Sequence, residues 1–416
     1  MLGARNSQDV APVITEHPMT ALERRSVSSL ALLYSFRMLG LFMVVPVLSL
    51  YAADMPGATP SLIGLALGAY GLTQALLQIP LGWLSDQVGR KPVIIGGLLM
   101  FALGSVLAAM SDSLWGIVLG RAIQGAGAIA ATVMALVADL TSTEQRTKAM
   151  AIVGMSIGLS FAVALVLGPA IAAAGGLSTV FWATALLAVG GIAILALLVP
   201  TPAAAPVGHS DVGARPKLFG RALREPALLR LNFGVFSLHF ILMASFLVVP
   251  AALEHLAGVD RAHHWRVYLP VLVLSVIGML PMMRTAERGG RPREMFLCGI
   301  GLLAAALLVL DVAASSYVLF AGLWLFFTGF NYLEATLPSL VSKTVFPGGK
   351  GTALGIYSTC QFLGTFAGGA GGGWVLQHFG QVGLLGLCLG LAACWFLVIL
   401  TAGPAPLPDP ERVPGS

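Results

Sequence analysis

The chain has 416 residues, of which 57% are hydrophobic and only 10% are charged, and its formal net charge at pH 7 is +5. A mean hydropathy of +0.89 excludes an ordinary water-soluble globular domain. The positive charge does not indicate nucleic-acid binding, because the basic residues lie in short segments between apolar runs, as they do in membrane proteins.

Twelve apolar runs are long enough to cross a bilayer, whose hydrocarbon core of about 30 Å needs about 20 helical residues per span. The N-terminal tail, 1–27, has no apolar run, so we expect no cleavable signal peptide. The first six predicted spans are 28–52, 61–85, 92–111, 114–139, 146–173 and 178–200. The second six are 230–253, 265–284, 294–312, 316–342, 352–376 and 382–402.

The segment between the sixth and seventh spans, 201–229, contains four prolines and no long apolar run. This composition is typical of a solvated linker. We therefore predict an all-α membrane protein of twelve transmembrane helices in two six-helix bundles, 28–200 and 230–402. A short tail, 403–416, follows the last span.

The distribution of Lys and Arg predicts the orientation. All but four of these 23 residues lie in the termini, the linker and the alternate loops on the same side of the membrane. Arg261 and Arg266 lie in the opposite loops, and Arg37 and Arg121 lie within spans. By the positive-inside rule, both termini are predicted to be cytoplasmic in a multi-pass protein of the inner membrane.

The sequence GWLSDQVGRKP at 82–92, between spans two and three, is the strongest local motif. It resembles the signature loop of the major facilitator superfamily. A weaker copy, ERGGRP at 287–292, keeps the acid, glycine and arginine spacing, with Glu287 following Asp86 by 201 residues. This duplication predicts two pseudo-symmetric six-span repeats that rock about a central site.

Further stretches extend the resemblance over nearly the whole chain. RAIQGAG at 121–127 resembles the second motif of the family, and Gly168-Pro169 resembles its antiporter motif, although alanines replace glycines around it. The stretches 37–44, 139–141 and 146–150 resemble the YajR group of drug:proton antiporter-like transporters. Members of that group carry a soluble C-terminal domain, and we expect none of its functions here, because the short tail 403–416 follows the last predicted span.

The resemblance implies a conformational latch on the cytoplasmic side, which would hold the outward-facing state. Its charges would dock the N-terminus of span eleven near Gly351 and Thr352, because helix N-termini favour anions. The alternative is a topological anchor with ordinary surface ion pairs, each worth about 0–1 kcal/mol. The predicted latch residues are Gly82, Asp86, Gly89, Arg90, Lys91 and Asp139.

Four ionisable residues lie deep within predicted spans: Arg37, Arg121, His239 and Glu334. A central charge costs about 2.5–3.5 kcal/mol on translocon scales, so it usually faces a cavity, a partner or a proton path. We hypothesise that Glu334 takes up the coupling proton, since a low dielectric favours the neutral carboxyl. The alternative is a permanent pair with Arg37 or Arg121. For Arg121, proton transfer and a structural role remain equal alternatives. His239 could titrate near neutral pH, but a hydrogen-bonded packing role is the expectation for a lone histidine in an apolar helix.

Polar and aromatic residues on central spans are candidates for a mostly apolar substrate cavity. The alternative for each polar residue is interhelical hydrogen bonding. The candidates are Tyr34, Phe36, Gln74, Gln78, Gln124, Phe240, Asn331, Tyr357 and Gln361. Glycines in span eleven (364, 368, 369 and 373) and in span five (154 and 158) are expected to allow close helix packing.

Motifs for ATP hydrolysis and for common hydrolases are absent from the sequence, so we expect no enzymatic activity, no cofactor and no metal site. We predict a secondary active transporter that exports small amphipathic molecules, as in multidrug efflux, in exchange for protons by alternating access. The alternatives are a proton symporter or facilitator for a metabolite, and a non-transporting receptor on the same scaffold. We expect a monomer.

Overall fold

The computed structural model describes residues 18–201, 216–346 and 348–401. Within these ranges the secondary structure is helical and contains no strand. Most of the predicted N-terminal tail (residues 1–17), about half of the predicted linker (202–215) and the predicted C-terminal tail lie outside the described residues.

The helices of the first half follow the predicted spans in order. They are α1 (Ala21–Met43) and α2 (Val45–Ala53) in span one, α3 (Pro60–Val88) in span two, α4 (Arg90–Ala109) in span three, α5 (Leu114–Ala126) and α6 (Ala130–Asp139) in span four, and α7 (Thr143–Leu197) in spans five and six.

The second half begins with the short linker helix α8 (Pro216–Ala222). The helices that follow are α9 (Pro226–Ser245) and α10 (Val249–His255) in span seven, α11 (Trp265–Glu287) in span eight, α12 (Pro292–Asp311) in span nine, α13 (Ser316–Thr344) in span ten, α14 (Lys350–Phe366) in span eleven, and α15 (Gly372–Thr401), which completes span eleven and forms span twelve. A π-helical segment, Ala367–Gly371, joins α14 to α15.

Two of the ten long apolar segments in the described chain, Glu144–Leu197 and Lys350–Thr401, have 54 and 52 residues. At about 1.5 Å per residue each is far longer than a bilayer core is thick. Both contain a break at a glycine with positive φ, 72° at Gly176 and 68° at Gly380. Each segment therefore forms two spans, and the twelve predicted spans are confirmed.

Breaks divide spans one, four and seven. Pro46 and Pro250 lie in the first turns of α2 and α10, where the missing N–H has no helical partner to lose. Spans one and seven thus break at matching places in the two halves. The break in span four, between Ala126 and Ala130, involves no proline and was not predicted.

The two halves repeat a contact between a basic side chain and a helix C-terminus. Lys91 Nζ donates to the carbonyl of Val199 at 2.6 Å, and Arg293 Nη2 donates to the carbonyl of Leu400 at 2.7 Å. Terminal carbonyls of a helix lack intrahelical donors and favour cations. The contact ties span three to span six, and span nine to span twelve, at equivalent positions of the repeat.

We call the membrane side of the Arg90 loop and of Thr401 the basic face, and the other side the opposite face. Contacts between the halves concentrate near the opposite face. Ser49 Oγ donates to Phe246 O at 2.9 Å, and the Ser61 N–H donates to Gln377 Oε1 at 3.2 Å. Apolar residues of both halves share one core there, whereas the first half has a separate core towards the basic face. The structure is closed at the opposite face.

Spans two and eleven cross at glycines in this closed region. A Cβ at Gly68 would lie 2.7 Å from Phe366 O, and one at Gly369 would lie 2.8 Å from Gly64 O. Close packing by span eleven is therefore confirmed. The expectation for span five is wrong, because a Cβ at Gly154 or Gly158 would meet no heavy atom within 4 Å.

Candidate functional site

The charges of the predicted latch meet at the basic face. Arg90 forms an ion pair with Asp86, and its Nε lies 3.1 Å from Asp139 Oδ2. Its Nη1 also donates to Ser85 Oγ at 2.7 Å. Helix α3 ends at Val88, so the pair does not lie along one helix. The turn at Gly89, with φ of 97°, brings Arg90 back towards Asp86.

The other predicted latch residues have different surroundings. The ammonium of Lys91 points to the end of span six rather than to the Arg90 network. A Cβ at Gly82 would make an ordinary 3.4 Å contact with Ala131, so close packing does not require glycine there. The described partners of Arg90 all belong to the first half, which is consistent with a structure closed at the other face.

Arg37 is buried at the centre of a polar network in the first half. Its Nη2 donates to Tyr70 Oη at 2.9 Å, to Gln74 Oε1 at 2.8 Å and to Gly127 O at 3.1 Å. The carbonyl of Gly127 is freed by the break in span four, so Arg37 supplies a donor that the helix lacks. Gln74 in turn donates to Gln78 Oε1 at 3.3 Å.

Arg121 is buried one helix turn from that break. Its Nε donates to Ala66 O and its Nη2 to Leu67 O, both at 3.3 Å, and its Nη1 donates to Gln124 Oε1 at 3.0 Å. The guanidinium carbon lies 5.1 Å from the centre of the Tyr70 ring, a cation–π distance. Arg121 is therefore held by main-chain carbonyls and neutral side chains.

Neither buried arginine contacts Glu334, so the alternative of a permanent pair with Arg37 or Arg121 is wrong for this structure. Gln74, Gln78 and Gln124 are buried and hydrogen-bonded inside the first half. In this state, these glutamines form hydrogen bonds within the bundle, which was the alternative to a role in lining the substrate cavity.

Glu334 lies in the second half, beside His239 and Gln361. Its Oε2 is 3.7 Å from His239 Nε2, and its Oε1 accepts from Gln361 Nε2 at 3.4 Å. The same Gln361 nitrogen is 2.8 Å from His239 Nε2. The Glu334 side chain keeps 35% of its surface exposed, whereas its Oε2, which faces His239, is buried and has no hydrogen-bond partner among the described residues.

The hydrogen bonds of His239 fix its neutral tautomer. Its Nδ1 lies 3.1 Å from the carbonyl of Val235, which can only accept, so Nδ1 carries a proton. Nε2 of the neutral ring then accepts from Gln361, and a second proton on Nε2 would face the carboxylate of Glu334. His239 is thus hydrogen-bonded within the bundle, as expected of a packing residue, and it also lies beside Glu334.

The remaining cavity candidates lie in both halves of the protein. Asn331 Nδ2 donates to Ser275 Oγ at 2.9 Å, and Phe36 packs against Gly190 of span six. Tyr34, Phe240 and Tyr357 are almost fully buried. Tyr357 lies in the same half as Glu334. Its buried hydroxyl has no hydrogen-bond partner among the described residues.

The model of the Major Facilitator Superfamily matches residues 30–263 and 264–416. The chain belongs to this superfamily. The inner membrane transport protein YajR of Escherichia coli (strain K12) is 46% identical over 401 residues, which cover 96% of this chain and 88% of the relative. The multidrug resistance protein MdtH of Aeromonas salmonicida (strain A449) is 27% identical over 370 residues, 87% of this chain and 91% of the relative.

A crystal structure of a bacterial homologue of the human lysosomal transporter Spinster, inward-facing and occupied, has a TM-score of 0.73 and 14% identity. The match covers 92% of this chain and 98% of that chain. At this identity the likeness shows the fold alone. Membership of the major facilitator superfamily makes the chain a membrane transporter of small molecules.

One cluster of charged residues in this facilitator-family transporter was not predicted from the sequence. At the opposite face, Arg261 Nη1 lies 2.7 Å from Asp54 Oδ2 and its Nε lies 2.8 Å from Glu254 Oε1. Its guanidinium carbon is 5.2 Å from the centre of the Tyr51 ring. Asp54 and Tyr51 belong to the first half and Arg261 to the second, so the cluster bridges the halves. Asp54 and Arg261 are 207 residues apart, and no local pattern joins them.

Proposed function

We propose that this transporter exports small amphipathic molecules across the inner membrane in exchange for protons, as a monomer with its basic face in the cytoplasm. The observation that supports this proposal best is the contact of Glu334 with His239 and Gln361. A partly exposed glutamate side chain beside an imidazole, within the membrane, can exchange protons when the cavity changes sides.

The three side chains can share one or two protons. With His239 neutral, Gln361 donates one amide hydrogen to its Nε2 and the other to Glu334. With His239 protonated, its Nε2–H faces the negative carboxylate, which stabilises both charges.

With the opposite face closed, the proposed orientation assigns this structure to the cytoplasm-open state. In this state, Glu334 releases its proton to the cytoplasm and the cavity loads substrate. Closure of the basic face would then bring the latch of Asp86, Arg90 and Asp139 against the N-terminus of span eleven, whose helix dipole favours anions. Substrate would leave and a proton would enter from the other side.

The test uses proteoliposomes that contain only this protein, with the amphipathic dye ethidium as substrate and a pH-sensitive dye inside. We expect Glu334→Gln to abolish proton movement that depends on ethidium, and His239→Gln to weaken it. Asp311→Asn, at an exposed position in the same half, is the matched control.

If Glu334→Gln retains proton flux that depends on ethidium, Glu334 is not the coupling site. Accumulation of dye in right-side-out rather than inverted vesicles would show symport or uptake. If ethidium does not move, a screen for ligands that raise the unfolding temperature supplies other substrates, since a ligand of the folded state stabilises it. Proton flux that depends on any of these ligands would exclude a receptor that does not transport.

A further inference from the structure

A layer of phenylalanine rings crosses from one half to the other near the membrane centre. The ring centre of Phe161, in span five, lies 5.9 Å from that of Phe330 and 6.3 Å from that of Phe327, both in span ten. Behind it, Phe42 of span one packs edge-on against Phe161 at 5.1 Å. These distances are typical of stabilising aromatic pairs. The layer therefore joins the first half to the second.

This layer lies between Glu334 and the opposite face. Span ten runs from the opposite face at Ser316 to the basic face at Thr344. Phe330 precedes Glu334 by one helical turn and is thus about 6 Å nearer the opposite face. The exposed fraction is 8% for Phe161, 1% for Phe327 and 4% for Phe330. The Glu334 side chain is 35% exposed.

The layer also touches the proton-exchanging group itself. The ring centre of Phe330 lies 6.1 Å from that of His239, at 62° between the ring planes. Separation of Phe161 from Phe330 would open a route to His239 from the opposite face. Phe161 supplies the described ring contacts of the first half to Phe327 and Phe330, so a movement of span five away from span ten divides the layer.

We propose that Phe161, with Phe327 and Phe330, forms the seal that isolates Glu334 from water at the opposite face in this state. A ring in each half makes the seal a property of the closed conformation rather than of one bundle. The role of the seal in preventing proton leakage rests on the proposed function of Glu334, whereas its role in limiting access does not.

The first experiment measures access to position 334 without any assumption about protons. Glu334→Cys is introduced after replacement of Cys298, Cys360, Cys388 and Cys394 by serine. A membrane-impermeant maleimide is then added to the outside of right-side-out vesicles. We expect Phe161→Ala to accelerate labelling by about tenfold or more, since two ring contacts between the halves are lost. Phe161→Leu, which keeps apolar bulk, should stay within about twofold of the parent.

The control for a general loss of packing is Phe181→Ala, at a fully buried position in the first half. Thermal unfolding in detergent shows whether each variant is folded. If a folded Phe161→Ala variant is labelled at the parental rate, or if Phe181→Ala is labelled as fast as Phe161→Ala, the seal is overturned.

The second experiment measures proton leak into liposomes in the absence of substrate. We expect Phe161→Ala to leak and the double variant Phe161→Ala, Glu334→Gln not to leak. Faster cysteine labelling with a leak that persists in the double variant supports the seal and contradicts the proposed role of Glu334. Failure of the proposed function is thereby distinguished from failure of the seal.

Discussion

Replacing Arg261 with alanine removes the charge that bridges the two halves at the opposite face, and we expect the transporter to shift towards the state open on that face. The Arg261 and Asp54 side chains are 30% and 68% exposed, so their ion pair is worth about 0–1 kcal/mol. The contact of Arg261 with the Tyr51 ring adds about 0.5–1 kcal/mol. The bond to Glu254 lies within the second half and does not hold the halves together.

A total of about 0.5–2 kcal/mol corresponds to a change of about 2–30-fold in the ratio of the two states. Ser61→Cys reports this ratio, because the Ser61 Oγ is buried at the closed crossing of spans two and eleven and has no hydrogen-bond partner there. Its labelling rate by an impermeant maleimide should rise by the same factor in Arg261→Ala. Added salt should raise the rate of the native protein in the same direction, since exposed charges are screened.

Arg266→Ala is the matched control. This exposed arginine lies in the same region, and its described contact is with the Trp265 ring at 5.7 Å. Asp54→Ala should reproduce the ion-pair part of the effect, and the double variant should add little to Arg261→Ala, because both substitutions remove the same ion pair. Fully additive effects of the two substitutions, or an unchanged labelling rate in Arg261→Ala, would refute the assignment of this cluster to closure.

Two further predictions concern the helix packing. Gly68→Val should slow transport at least tenfold and raise labelling of Ser61→Cys, because its Cβ would lie 2.7 Å from Phe366 O; Gly154→Val, at an open position, should do neither. Arg37→Met should lower the unfolding temperature by several degrees more than Arg37→Lys does, because a buried acceptor without a donor costs about 1–3 kcal/mol. Equal unfolding temperatures for the two Arg37 variants would contradict the bond to Gly127 O.

Hydropathy and duplicated motifs were sufficient to predict the twelve spans and the repeat, because backbone groups in lipid must be satisfied within each segment. The pairing of Arg90 with Asp86 was predicted from local spacing, although the chain forms it through the turn at Gly89 rather than along one helix. These features depend on residues near one another in sequence.

The surroundings of Glu334 depend on how three helices rotate and pack, which local periodicity does not determine. His239 and Gln361 are 122 residues apart, yet their side chains are in hydrogen-bonding distance. The partners of Arg37 could not be predicted either. One of them is a carbonyl freed by the break in span four, and no proline marks that break in the sequence. Hydropathy indicated that these charges needed partners, but the partners became known from the packed structure.

The matched contacts of Lys91 and Arg293 have main-chain carbonyls as acceptors. Every amino acid provides a carbonyl, so the residues at 199 and 400 are free to drift as long as the helix ends stay in place. We therefore expect substitutions of Lys91 and Arg293 to be poorly tolerated, and substitutions at 199 and 400 to be well tolerated. Such asymmetry lets the two repeats diverge in sequence while the same mechanical link persists in each.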